Sequence, residues 1–289
     1  MPASLASEAS LRTAVTPCSP GSCSDQGSGQ ESEDAVQVRL EYAPVSRILA
    51  LLYGAACYVV FLATFLYAIG FVGNVIVPKT IDSATSTSPA MALLIDALLL
   101  AVFAIQHSVM ARPAFKRWWT RLVPQAVERS TYVLYASLAL ILLFWQWRQL
   151  PGVLWQVEDA VALQVVWAIF ALGWLLVLAS TFFINHFDLF GVRQVYLNFK
   201  QKMDAPGEFK TTWLYRFVRH PIMLGFIIAF WATPRMTVGH LVFSVGTTVY
   251  ILIALRFEEH DLSVQYGSVY DAYRKRVPML LPRLKSQKE

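Results

Sequence analysis

"IMLGFIIAFWATPRMTVGHLVFSVGTTVYILIALRF", residues 222–257, runs for 36 positions and carries only Arg235 before Arg256. A stretch of about 18 or more apolar residues is long enough to cross a bilayer. This one is too long for a single crossing, and Pro234 with Arg235 interrupts its middle. Proline removes a ladder hydrogen bond and breaks a helix there. The stretch therefore reads as a tight helical hairpin, Ile222–Trp231 and Val238–Phe257, turned by "ATPRMT" (232–237). The first arm is too short to span alone.

Four further apolar segments precede it: Ile48–Val77, Met91–Met110, Thr131–Trp147 and Ala160–Asn185. The whole chain is 56% hydrophobic and 15% charged, with mean hydropathy +0.48. Soluble domains carry about 25% charged residues. The expected fold is an all-α integral membrane protein of four transmembrane helices plus a C-terminal helical hairpin. Lys and Arg concentrate in three segments: Arg112–Arg129, Arg193–Arg219 and Arg274–Lys288. The alternate connections hold Lys79, Arg148 and Arg235 only. With this span count all three basic segments fall on one side, which the positive-inside rule makes cytoplasmic. Both termini then lie in the cytoplasm, and a site built from the basic connecting segments would open on that side.

Residues 1–45 differ, with eight serines by residue 32 and no apolar core segment. They are expected to form a disordered cytoplasmic tail, leaving 46–289 as the membrane domain. Cys18 and Cys23 in the tail and Cys57 in the first span make no disulfide framework, and with no histidine nearby they make no metal site. The net charge of +5 reflects the membrane bias and implies no nucleic-acid partner. The lipid bilayer is the expected surrounding. G-x-G-x-x-G after a strand, the P-loop, H-E-x-x-H and G-x-S-x-G are absent. These absences exclude a soluble Rossmann-type enzyme.

Three constellations carry ionisable groups at membrane boundaries, where such groups are costly and often functional. In "GEFKTTWLYRFVRHPIMLGF" (207–226), Pro221 suits the first position of a helix. The free N–H groups that follow, with Arg219 beside them, favour an anion such as a carboxylate. His220 stands at the same end, and Trp213, Tyr215 and Phe217 supply aromatic walls. An interfacial aromatic and basic belt is the plainer reading. In "RFEEHDL" (256–262), Arg256, Glu259 and His260 share one turn. A hairpin returns its second arm to the level where the first began, so Glu258 and Glu259 should lie near Arg219 and His220. Tyr266, Tyr270 and Tyr273 follow on one helical face, lying on the headgroup surface or capping the site. In "STFFINHFDLFGVRQVY" (180–196), His186, Asp188, Arg193 and Gln194 gather among aromatics; a substrate pocket, a proton acceptor or an exit belt all fit. Asp96 and His107 lie within the second span, and His107 is close enough to its end to snorkel.

Arg219-His220-Pro221, the paired Glu258-Glu259 and "Y-G-x-x-Y-x-x-Y-x-x-x-V-P" from Tyr266 to Pro278 together resemble the isoprenylcysteine carboxyl methyltransferase fold. Within it, "FINHFDLFGVRQVY" (183–196) and "FWATPRMTVGHLVF" (230–243) look closest to the bacterial methanethiol S-methyltransferases. The resemblance implies S-adenosylmethionine as methyl donor and a cofactor region over about 207–280. It implies cofactor contacts at Tyr215, His220, Pro221, Met223, one of Glu258 or Glu259, and the backbone of 207–210, to which the charged clusters add Arg219 and Arg256 as expected contacts. Met223 stands where that fold often has tyrosine. The reaction implied is methylation of methanethiol to dimethyl sulfide, with no metal. His220, His186, Glu259 or Asp188 is expected to take the thiol proton. Another thiol, a prenylcysteine carboxylate, or a nicotinamide-dependent reduction on the same fold are the alternatives, with a non-enzymatic membrane subunit as the contrasting class.

Overall fold

The structure is a computed structural model that describes residues 29–202 and 211–282. Helix α1 (Gly29–Gly73) leads to α2 (Pro89–Ala111), the short α3 (Pro113–Trp119) and α4 (Gln125–Gln146). Strand β1 (Val153–Gln156), α5 (Ala160–Ile184), α6 (His186–Leu189) and α7 (Val192–Phe199) follow. A 3₁₀ turn (Trp213–Arg216) then precedes α8 (Pro221–Trp231), β2 (Arg235–Thr237), α9 (Val238–Tyr266) and α10 (Ser268–Arg276). The tail boundary expected at 45/46 falls inside α1, and residues 1–28 lie outside the described residues.

Among the described residues, five helices are long and apolar enough to cross a membrane: Val45–Gly73, α2, α4, α5 and α9. Their outer faces carry large exposed apolar side chains, such as Leu49, Leu52 and Val59 on α1 and Val161, Leu172 and Leu175 on α5. Water would penalise such faces and lipid does not, so this is an integral membrane protein. The 11 residues of α8 extend about 16 Å at 1.5 Å per residue, half the hydrocarbon core. That arm compensates by close packing. A methyl group added at Gly173 of α5 would come within 2.7 Å of the Ala229 nitrogen in α8, and one added at Gly225 within 2.7 Å of the Gly173 carbonyl oxygen. Small residues at facing positions let helix backbones touch, which is the main source of attraction where lipid is as apolar as leucine.

The hairpin turn departs from the expected bare turn. Arg235–Thr237 pairs antiparallel with Val153–Gln156, with a bulge between Val153 and Trp155. This ribbon closes one end of the bundle above a core of Phe71, Ile81, Trp147 and Phe243. Thr237 caps α9 by accepting from the His240 nitrogen at 3.1 Å, and donates to Asp82 at 2.6 Å. His240 and Ser244 both donate to the Phe230 carbonyl, at 2.9 and 2.7 Å, and so tie the two arms together. Asp96 is fully buried and accepts from the Arg148 backbone nitrogen at 2.8 Å. The α2–α3–α4 connection, α6, α7, the 3₁₀ turn and α10 all gather at the opposite end, together with the described residues of the basic segments. The residues that Arg219, His220 and Glu259 belong to are at that end as well.

Candidate active site

His220 is the residue preceding α8, and Pro221 occupies the first helical position, where its missing N–H costs nothing. The two backbone groups before it are pinned by the C-terminal segment: the Arg219 nitrogen donates to the Pro278 carbonyl at 2.9 Å, and the His220 nitrogen to that of Met279 at 3.2 Å. The Arg219 side chain reaches α9, with Nε and Nη2 both 2.6 Å from Glu259 Oε1. Its Nη1 donates to the carbonyls of Arg274 at 2.9 Å and Val277 at 2.5 Å. His220 Nε2 donates to the same Glu259 oxygen at 3.1 Å, and its Nδ1 lies 3.9 Å from Glu258. The fold thus places Arg219, His220, Glu258 and Glu259 together. Charges this far from water need partners and hydrogen bonds, and each of these has them.

A cleft of about 430 Å³ opens beside this cluster, lined by Arg219, Arg256, Glu259, His260, Arg274 and Met279. Pro221 is fully buried, and Met223, two positions further into α8, is half-buried. The Tyr215 hydroxyl is buried with no hydrogen-bond partner among the described residues. Burial, and then the charge of Glu258, hold it well above the ordinary tyrosine range. The Tyr273 hydroxyl donates to the Tyr215 carbonyl at 2.6 Å. Burial pushes Tyr273 up to about 12, so it remains a donor. The 207–210 stretch lies outside the described residues.

The tyrosines do not share one helix. Gly267 takes φ +54° and ψ −132°, a conformation open to glycine, and ends α9 after Tyr266. Tyr270 and Tyr273 then turn inward on α10 and pack with Leu262 and Val277, leaving them buried rather than on a surface.

The third constellation is a separate cluster. The Thr181 hydroxyl donates to the Leu178 carbonyl, so it accepts from His186 Nδ1 at 2.8 Å. That fixes the tautomer, and His186 Nε2 accepts from the Tyr58 hydroxyl at 2.8 Å. The ring lies flat against Phe182 and edge-on to Phe187 and Phe190, and burial lowers its proton affinity. Asp188 accepts from Gln194 at 2.7 Å and faces Arg193 at 3.4 Å, holding the α6–α7 corner. No described contact joins either residue to His220. Tyr58, 128 positions from His186, gave no sign in the sequence beyond being a polar tip in an apolar span.

Comparison with known proteins agrees with the motifs. The family model described as "NnrU protein" matches residues 95–265. A methanethiol S-methyltransferase of Mycobacterium tuberculosis is 58% identical over 238 residues, covering 82% of this chain and 98% of that protein. One from Crocosphaera subtropica is 53% identical, covering 85% of this chain and 96% of its own length. Methanethiol S-methyltransferase 2 of Bradyrhizobium diazoefficiens is 54% identical, covering 83% and 92%. No solved structure matches, so the likeness to the isoprenylcysteine carboxyl methyltransferase fold stands on the motifs. With this identity over nearly the full length of its relatives, the chain belongs to the methanethiol S-methyltransferases and to the NnrU family whose model it matches.

Proposed function

We propose that this protein methylates methanethiol to dimethyl sulfide with S-adenosylmethionine as donor, releasing S-adenosylhomocysteine. The end-to-end likeness to methanethiol S-methyltransferases carries this reading. The donor, when bound, supplies a methyl group activated by a sulfonium, so no metal and no covalent enzyme intermediate are needed.

The residues present fit such a donor. It carries a carboxylate, an ammonium, ribose hydroxyls and a positive sulfur. Arg256 and Arg274 line the cleft beside Arg219 and can take a carboxylate. The orphaned Tyr215 hydroxyl is a donor in need of an acceptor. Glu258, half-buried beside His220, offers a carboxylate to the positive charge. Arg219 and Glu259, bonded to each other, hold His220 and fix the floor. Pro221 and Met223 supply apolar contact. We place this pocket on the cytoplasmic side of a bacterial cytoplasmic membrane, with both termini inside, because the described residues of the basic segments share that end.

The test is headspace gas chromatography on purified full-length protein given both substrates, with equilibrium binding of labelled S-adenosylmethionine in parallel. Wild type is expected to release dimethyl sulfide. His220→Ala is expected to lose cofactor binding while its melting curve stays cooperative. Wild-type protein that binds the cofactor yet makes no dimethyl sulfide would send the assignment to a larger thiol or a carboxylate.

A further inference from the structure

Polar groups inside the bundle satisfy one another. The Tyr132 hydroxyl hydrogen-bonds the His107 ring at 2.9 Å, and Tyr58 bonds His186 at 2.8 Å. The cleft beside Arg219 is different. Three arginines, Arg219, Arg256 and Arg274, line it against one carboxylate, Glu259. Glu259 is taken by Arg219 and His220, so the charges of Arg256 and Arg274 are left over. The side chains of these two, and of His260 between them in the lining, make no hydrogen bond or ion pair among the described residues. Nearby acids are turned elsewhere. Glu258 stands about 200° round α9 from Arg256, at about 100° per residue. Asp261 pairs with Arg112 at 2.9 Å. Asp271, outside the lining, accepts from Ser263 at 3.2 Å.

The cofactor does not balance this cleft. S-adenosylmethionine brings one carboxylate together with an ammonium and a sulfonium, and so enters as a net cation. Exposed arginines are readily solvated, so charge alone names no ligand. The position of Arg256 does. On α9, the exposed Val249, Leu252 and Ile253 lead at steps of three and four residues to Arg256 and then His260, both also exposed. Such steps keep to one helical face. Its apolar members face lipid, so Arg256 and His260 stand where that face leaves the hydrocarbon and meets the headgroups. The cleft therefore opens along α9 onto the headgroup layer, with an apolar rail beneath its mouth. A phospholipid has the matching profile, a phosphodiester above and an acyl chain below. A guanidinium suits the phosphodiester because its fork can donate to two oxygens at once.

Resting on the methyltransferase reading for the cofactor's share of the cleft, we propose that an anionic phospholipid occupies the outer part. Arg256 holds its phosphodiester, His260 donates to the same group, and an acyl chain lies along Val249, Leu252 and Ile253. Arg274, on α10, is left for the carboxylate of the cofactor. Two anions then meet the two arginines that the protein itself leaves unpaired. The lipid also lowers the repulsion that a net cation meets on entering.

The test is native mass spectrometry of the full chain in detergent, given equal amounts of dioleoyl phosphatidylglycerol and dioleoyl phosphatidylcholine. Both carry a phosphodiester and the same chains, but only the first is a net anion. Wild type is expected to retain phosphatidylglycerol in preference. Arg256→Gln is expected to lower that preference by about fivefold, the usual contribution of one basic residue near a headgroup. Arg121→Gln removes another exposed charge, from the α3–α4 connection, and should leave the preference unchanged. Arg256 has no described partner, so its variant should still melt cooperatively. Should it not, His260→Gln is expected to lower the preference in the same direction. An equal loss in Arg121→Gln would mean a general basic belt and overturn the inference. Undiminished preference in both Arg256→Gln and His260→Gln would overturn it too, as would displacement of the lipid by an equal concentration of soluble glycerol phosphate. Labelled S-adenosylmethionine that still binds in those cases leaves the methyltransferase reading standing. A lipid preference that depends on Arg256, in protein that binds no S-adenosylmethionine, would support this site and count against that reading instead.

Discussion

Arg219 and Glu259, 40 positions apart in the chain, meet at 2.6 Å where α8 begins and α9 nears its end. Only 9% and 12% of their side chains are exposed. Cutting a buried pair on one side strands the other charge, at about 3–5 kcal/mol. Glu259→Ala is therefore expected to lower stability by about that much, and to lose cofactor binding because His220 loses its anchor too. Replacing both residues by methionine removes the stranded charge, and should recover most of the stability while cofactor binding stays lost. Thermal unfolding in detergent and labelled-cofactor binding separate the two effects. A Glu259→Ala protein as stable as wild type would show that the pair is held together by α10 rather than the reverse.

Gly173 and Gly225 set how near α5 and α8 approach. Any side chain at either position meets backbone rather than a movable tip. Gly225→Ala is expected to cost about 1–3 kcal/mol, the range for overpacking. Because α8 carries His220 at its start, cofactor affinity should fall with it. The pair Gly173→Ala and Gly225→Ala should cost less than the two single changes added, since the first separation of the helices makes room for the second methyl. Additive losses in melting experiments would show that the two contacts are independent.

How much of this was legible beforehand follows from distance along the chain. The spans were readable because each is a continuous apolar run, and the meeting of Glu259 with Arg219 because a hairpin must bring its ends level. The β1–β2 ribbon was not readable. Its strands are four and three residues long, and what stabilises them is a partner about 80 positions away. The Tyr58–His186 and Tyr132–His107 contacts were hidden for a related reason. Helical periodicity says which residues share a face, but not which face of another helix comes opposite. The tyrosines after α9 were misplaced because their spacing fits one helix, while Gly267 permits the break that turns two of them inward.

Tyr273 and Gly267 test whether α10 is a working part of the pocket. Tyr273→Phe removes the 2.6 Å bond to the Tyr215 carbonyl, so about 1 kcal/mol of stability is expected to go. Gly267→Ala instead strains the backbone, at about 1–3 kcal/mol, although a Cβ there would touch nothing within 4 Å. The second change should loosen α10 as a unit and expose the α9–α10 junction to limited proteolysis. Cleavage no faster than in wild type would mean that the buried faces of Tyr270 and Tyr273 hold α10 without the turn.

Lys116, on α3 outside the spans, gives a pH-dependent signal. Burial, and secondarily the charge of Arg129, lower it from 10.5 to about 8, with Glu128 opposing. A lysine lowered in the folded state loses its proton first there. Between about pH 8 and 10.5 the unfolded chain holds more protons than the folded one, so stability from this group rises with pH through that window. Below pH 8 both states are protonated and the burial cost stays constant. Lys116→Met removes the titration while keeping the length of the side chain. The wild-type melting temperature, measured relative to this variant, should therefore climb from pH 8 to 10.5 and stay level below. The contributions of Arg129, Glu128 and the tyrosines are common to both chains and cancel in the difference. Parallel curves across the whole range would place the Lys116 ammonium in water instead of against the protein.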